Sequence, residues 1–155
     1  MILEYRIADW GYYEQDTETL SAENEKGLVQ GKHILLAEDN DLNAEIAIAI
    51  LEDMGLFVER AVDGIQCVAK MEQKPAGTYD LILMDIQMPN MDGYKATQTI
   101  RTFADKEKAR IPIAAMTANA FEEDREMALA KEMNGHIAKP IDADKIRKML
   151  ISILQ

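Results

Sequence analysis

The chain is poor in cysteine, in basic residues and in long apolar runs, and each shortage closes off a class of function. Cys67 is the only cysteine and falls in a helix-like stretch, which excludes a disulfide framework and a thiol metal site and makes a reducing, cytosolic setting the default. Lysine and arginine total 17 against 28 acidic residues, a formal net charge of −11. Phosphate backbones attract basic surfaces, so this balance argues against a nucleic-acid partner and for an acidic protein that binds cations or other proteins. The longest apolar runs are strand-sized, well short of the roughly 20 residues a membrane helix requires. Residues 1–30 lack a basic start followed by an apolar stretch, so nothing there reads as a signal peptide and no membrane contact is expected. Internal repeats and low-complexity tracts are missing too.

What is present suffices for one core with some tail: 155 residues, 48% of them apolar. Composition changes near Gly31. Residues 1–31 carry seven acidic and two basic side chains, and Asp16 to Lys26 offers only Leu20 as a large apolar group, the pattern of a solvated linker. Met1 to Ala8 looks like a strand without a partner, followed by Trp10, Tyr12 and Tyr13. These aromatics either dock on the main domain or end an upstream one. The expected division is residues 1–31 as linker or upstream tail and 32–155 as the domain.

From Lys32 onward strand-like runs alternate with amphipathic stretches, which predicts an α/β, doubly wound domain with a five-stranded parallel sheet and five helices. The strands are expected at His33 to Ala37, Phe57 to Ala61, Asp80 to Met84, Ile113 to Met116 and His136 to Ala138. Leu42, Ile46, Ile50 and Met54 recur every fourth residue as the apolar stripe of the first helix, and Gly55 stops it. Asp63 can cap a second helix that ends before Pro75. Gly93 to Phe103 and Asn119 to Met133 make the next two, and Ile146, Met149, Leu150 and Ile153 mark the inner face of the last.

Four of these strands run into reactive groups. Ile34 to Ala37 leads to Glu38-Asp39, Leu81 to Met84 to Asp85, Ile111 to Met116 to Thr117, and His136 to Ala138 to Lys139. Ligands of parallel sheets bind at the carboxyl edge, where such residues converge. Singly, Asp39, Asp85 and Thr117 read as well as helix caps, and Lys139 as a solvent-facing lysine. Together they gather three carboxylates, which repel and raise one another's pKa unless a cation sits among them. Mg²⁺ takes one or two carboxylates, waters and a phosphate oxygen, so the group looks built for Mg²⁺ and a phosphoryl group.

Leu36-Ala37-Glu38-Asp39-Asn40, Leu83-Met84-Asp85-Ile86-Gln87-Met88-Pro89-Asn90-Met91-Asp92-Gly93, Ala115-Met116-Thr117-Ala118-Asn119-Ala120 and Gly135-His136-Ile137-Ala138-Lys139-Pro140 closely resemble, in that order, the motifs of two-component receiver (response-regulator) domains. The resemblance covers about residues 32–155 and implies a flavodoxin-like sheet of strand order 2-1-3-4-5. It implies that Asp85 is the nucleophile, phosphorylated from the phosphohistidine of a histidine kinase dimerisation helix or a histidine phosphotransfer domain. Glu38, Asp39, Asp85 and the backbone carbonyl of Gln87 would hold Mg²⁺; Lys139 and Thr117 would each meet a phosphoryl oxygen. Gln87 and Asn119 would flank the path of attacking water. Thr117 would also be a switch residue together with an aromatic side chain beside the last strand. Here that place is His136, where many members carry Tyr or Phe, so a rotating aromatic is in doubt. By the same analogy Lys139-Pro140 would be a cis peptide.

The wording from Met133 to Asp142 looks like receivers at the C-terminus of hybrid sensor histidine kinases. Met1 to Ala8 would then belong to a kinase ATP-binding domain, and the parent could be membrane-anchored with this domain on the cytoplasmic side. Because the chain stops at Gln155, straight after the last helix, no DNA-binding output domain is expected on that side. The domain would catalyse its own phosphorylation and dephosphorylation without being a stand-alone enzyme. The alternatives are a stand-alone single-domain regulator, a receiver-like scaffold that is never phosphorylated, and an aspartyl-nucleophile phosphohydrolase. The last usually resembles Asp-x-Asp, and Gln87 stands where the second acid belongs. A dinucleotide site fits worse, since Glu38-Asp39-Asn40-Asp41 has no glycine and would repel pyrophosphate.

Overall fold

Each apolar run is short, rich in Ile, Leu, Val, Ala or Met, and closed by polar or turn residues, the conditions for a buried strand. In the computed structural model, which describes residues 27–118 and 122–154, the runs form β1 (His33–Ala37), β2 (Phe57–Ala61), β3 (Leu81–Asp85), β4 (Ile113–Thr117) and β5 (Gly135–Ala138). All neighbours pair in parallel in the order β2-β1-β3-β4-β5, the flavodoxin-like order that the resemblance implied. Interior strands β3 and β4 bury every residue and β1 all but His33. Polar side chains gather on edge strand β2, where Glu59 and Arg60 sit.

The helices are α1 (Asp41–Asp53), α2 (Gly64–Gln73), α3 (Gly93–Arg101), α4 (Glu122–Ala130) and α5 (Ala143–Leu154). A single helical turn, Lys106–Ala109, and a short helical stretch at 27–29 add to these. Side chains cap the first three: Asn40 accepts from Asn43 N, Asp63 from Gln66 N and Asp92 from Lys95 N, satisfying backbone donors that no helical partner reaches. Alternation along the strands splits the core into two layers. Leu35, Ile82, Met84 and Ile113 meet α2, α3 and α4 on one face, whereas Ile34, Leu36, Leu83 and Met116 meet α1 and α5 on the other.

Several expectations shift in detail. Only part of the apolar stripe expected on α1 meets the core: Leu42 and Ile46 are 64% and 47% exposed, whereas Ile50 packs partly buried and Met54 is buried together with Ala44, Ala47 and Leu51. Alanines let the helix axis approach the sheet closely, and the first half of the bulky i, i+4 row is turned outward. Asp80 lies just before β3, its carboxylate accepting from His33 N at 2.8 Å. Of the stretch Asn119 to Met133 only 122–130 is helix, and 119–121 fall outside the described residues. Packing reaches back before Lys32, since Val29 is fully buried and Gly31 N donates to Gly55 O at 2.8 Å. The Lys139–Pro140 peptide is cis. No helix among the described residues is long and apolar enough to cross a membrane.

Candidate functional site

Parallel register aligns the strand ends. Ala37 pairs with Met84, Asp85 with Met116 and Thr117 with Ala138, so the residues that follow β1, close β3 and β4, and follow β5 share one edge. Backbone bonds continue past the strands: Ile86 N donates to Met116 O at 3.1 Å and Lys139 N to Thr117 O at 2.7 Å. Gly93 lets the chain fold back beside Asp85, because a Cβ there would collide with the Asp85 carbonyl oxygen.

The result is a cavity of about 180 Å³ lined by Glu38, Asp39, Asp85, Gln87, Thr117 and Lys139. Carboxylate oxygens of Glu38, Asp39 and Asp85 all lie within 4.8 Å of one another, with Glu38 and Asp85 buried and Asp39 exposed. Lys139 Nζ stands 2.7 Å from Glu38 Oε1 and 3.1 Å from Asp85 Oδ2. Main-chain donors complete the pocket, Asn40 N to Glu38 Oε2 at 3.2 Å and Gln87 N to Asp85 Oδ1 at 3.3 Å.

These contacts set the charge states. Burial first, and then the Glu38 carboxylate beside it, push Asp85 up to about 7, with Lys139 pulling the other way. Burial also acts to raise Glu38, but hydrogen bonds from Lys139, Asp85 and Asn40 N outweigh it and leave that carboxyl lowered. Desolvation acts to lower Lys139, and its two carboxylate partners overcome this and raise it. With all three acids ionised, one ammonium leaves two negative charges uncompensated in a largely buried pocket. Oxygen donors, charge surplus and an open side at Asp39 fit a hard divalent cation such as Mg²⁺.

Five of the residues singled out by sequence therefore meet, and Gln87 lines the same hollow. His136 does not. It lies on β5 in a separate groove with Leu129, Met149 and Ile153. Asn119 is outside the described residues. Sequence reasoning missed Asn43, which lines the cavity from the first turn of α1, and Arg60, whose Nε donates to the Glu38 carbonyl at 3.0 Å. Asn43 was within reach of the strand-edge argument; Arg60, on a neighbouring edge strand, gave no local signal.

Comparison with known proteins agrees with this geometry. This sequence spans between 7% and 22% of the length of the curated relatives it matches. The histidine kinase BarA of Escherichia coli is 36% identical over 118 residues, 76% of this chain and 12% of that protein. The receiver domain of sensor histidine kinase PA1611 from Pseudomonas aeruginosa, solved with a magnesium ion coordinated in its active-site cleft, is 41% identical, with a TM-score of 0.71 over 80% of this chain and 98% of that one. The receiver domain of Ssk1 in complex with the histidine phosphotransfer protein Ypd1 of Saccharomyces cerevisiae superposes with a TM-score of 0.73 at 25% identity, covering 81% and 90%. The model of the response regulator receiver domain matches residues 34–151, and the chain belongs to that family.

Proposed function

We propose that this receiver takes a phosphoryl group onto Asp85 from a partner's phosphohistidine, in a reaction that depends on Mg²⁺. The observation that carries the reading is the meeting of three carboxylates within 4.8 Å beside the Lys139 ammonium. An Asp85 carboxylate oxygen attacks phosphorus. An O–P bond forms as the P–N bond breaks, and the departing imidazole nitrogen keeps the bond pair and takes up a proton. Lys139 steadies one phosphoryl oxygen, and Thr117, at the end of β4, donates to another. Glu38, Asp39, Asp85 and the Gln87 carbonyl would hold Mg²⁺, which would neutralise charge on the transferring oxygens. Gln87 flanks the water that later hydrolyses the aspartyl phosphate. An amide at Gln87 offers no general acid two residues beyond the nucleophile, which speaks against a phosphohydrolase.

The donor is a helical domain bearing phosphohistidine, either a kinase dimerisation helix or a phosphotransfer domain. Support comes from the outer face of α1: exposed Ile46 joins Pro140 and Ile141 around a small apolar hollow beside Glu38 and Lys139, a surface suited to an amphipathic helix. The parent is read as a hybrid histidine kinase anchored in a membrane, with this domain on the cytoplasmic side. Output is read as a change around α4 and β5, transmitted by Thr117 and by His136 in its groove.

The test is labelling with acetyl phosphate and Mg²⁺, followed by peptide mapping. One acid-stable, base-labile phosphoryl group is expected on the Asp85 peptide, and none in Asp85→Asn. Equal labelling of that variant would remove Asp85 as nucleophile.

A further inference from the structure

The connection between β2 and α2 supplies no side chain to the acidic cavity, yet it touches both turns that do. On one side the Ala61 carbonyl accepts from Glu38 N at 3.1 Å, and Arg60 holds the Glu38 carbonyl through Nε and Asp41 through a 2.9 Å ion pair. On the other side it grips the loop that follows Asp85. Gly64 N donates to Met91 O at 3.2 Å, and any Cβ at Gly64 would run into that same carbonyl. Asp63, only 8% exposed, splits its carboxylate between two tasks. Its Oδ1 accepts from Gln66 N at 2.8 Å as the cap of α2, and its Oδ2 accepts from Asn90 Nδ2 at 2.9 Å. Asn90 has a left-handed backbone, φ 68°, so this bond fixes the most unusual residue of the loop.

We propose that the Asp63–Asn90 pair is a positioning clamp, setting where the loop from Ile86 to Asp92 presents the Gln87 carbonyl relative to Glu38 and Asp39. The inference rests on the receiver reading and deepens it. Groups that orient metal ligands from behind act on affinity through geometry, without touching the ion. A plain helix cap would need only Oδ1. Asn caps as well as Asp does, and Asp tolerates the left-handed region as Asn does, so the two residues can be exchanged without disturbing cap or backbone.

The exchange makes the test. Asn90→Asp sets two carboxylates face to face, and adding Asp63→Asn restores a donor–acceptor pair with polarity reversed and the parent's net charge. Magnesium binding is measured by calorimetry, loop exposure by amide hydrogen exchange without metal, and global stability by urea unfolding. Asn90→Asp is expected to bind magnesium about tenfold more weakly and to exchange faster across residues 86–92, and the double variant to return to the parent on both. A shift in the unfolding midpoint with magnesium affinity unchanged would reduce the pair to a structural pin and overturn the clamp. So would a loss in Asn90→Asp that Asp63→Asn fails to restore. Should the parent itself bind no magnesium, the metal assignment falls, and loop exchange alone decides whether the pair fixes the loop.

Discussion

Asp85 sits in the fold between one carboxylate and one ammonium, and its proton marks which wins. In an unfolded chain this carboxyl ionises near 3.8; burial and Glu38 hold it to about 7 in the folded one. Between those values the folded state keeps a proton that the unfolded state has lost, so metal-free stability falls as pH rises from about 4 to about 7 and stays low above that. Replacing Asp85 with Asn removes the effect. Unfolding in EDTA should find the variant more stable by on the order of 2 kcal/mol near pH 8, with the gain vanishing toward about pH 4. A gain of equal size at both ends would place its origin outside this titration. None of this was legible in sequence. Grouping the acids needed only strand ends, but the proton that Asp85 retains depends on how deeply the fold buries it and on Glu38 lying beside it.

Among the elements, strands were legible nearly to the residue, because polar or turn residues close each run and parallel pairing buries the interior runs almost whole. Helix α1 was legible in extent, and its inward face only toward the C-terminal end. The row of Leu42, Ile46, Ile50 and Met54 outweighs alanines in any periodicity count, yet over the first turns the sheet accepts Ala44 and Ala47, whose small side chains allow the closer approach, and Leu51 and Met54 join them further on. Energetics should follow the structure. Truncating Leu51 to Ala should cost about 2–5 kcal/mol, and Ala47→Leu, which forces bulk into the interface, about 1–3 kcal/mol. Leu42→Ala and Ile46→Ala should stay within about 0.5 kcal/mol. Chemical denaturation of the four variants checks the ranking, and a reversal would mean that α1 packs through its outer row. If the outer row docks the phosphodonor, those same two variants should slow transfer from a phosphorylated partner while leaving acetyl phosphate labelling unchanged.

For the whole molecule, the packed unit reaches further toward the N-terminus than the composition change at Gly31 suggested. Composition reports solvation of a stretch, and a single apolar residue such as Val29 at its end does not move the average. A chain starting at residue 31 should be less stable than one starting at 27 by about 1.5–3 kcal/mol, read from paired urea curves; equal midpoints would show that Val29 contributes nothing. The side of the acidic cavity left open at Asp39 has a further effect on encounter. A molecule of net charge −11 surrounds that mouth with a repulsive field for anions, whereas a cationic partner surface is drawn in. Added salt collapses that field to within about 10 Å at 0.1 M, so a small anionic phosphodonor should react faster as salt is added, and a donor that docks through a basic face more slowly.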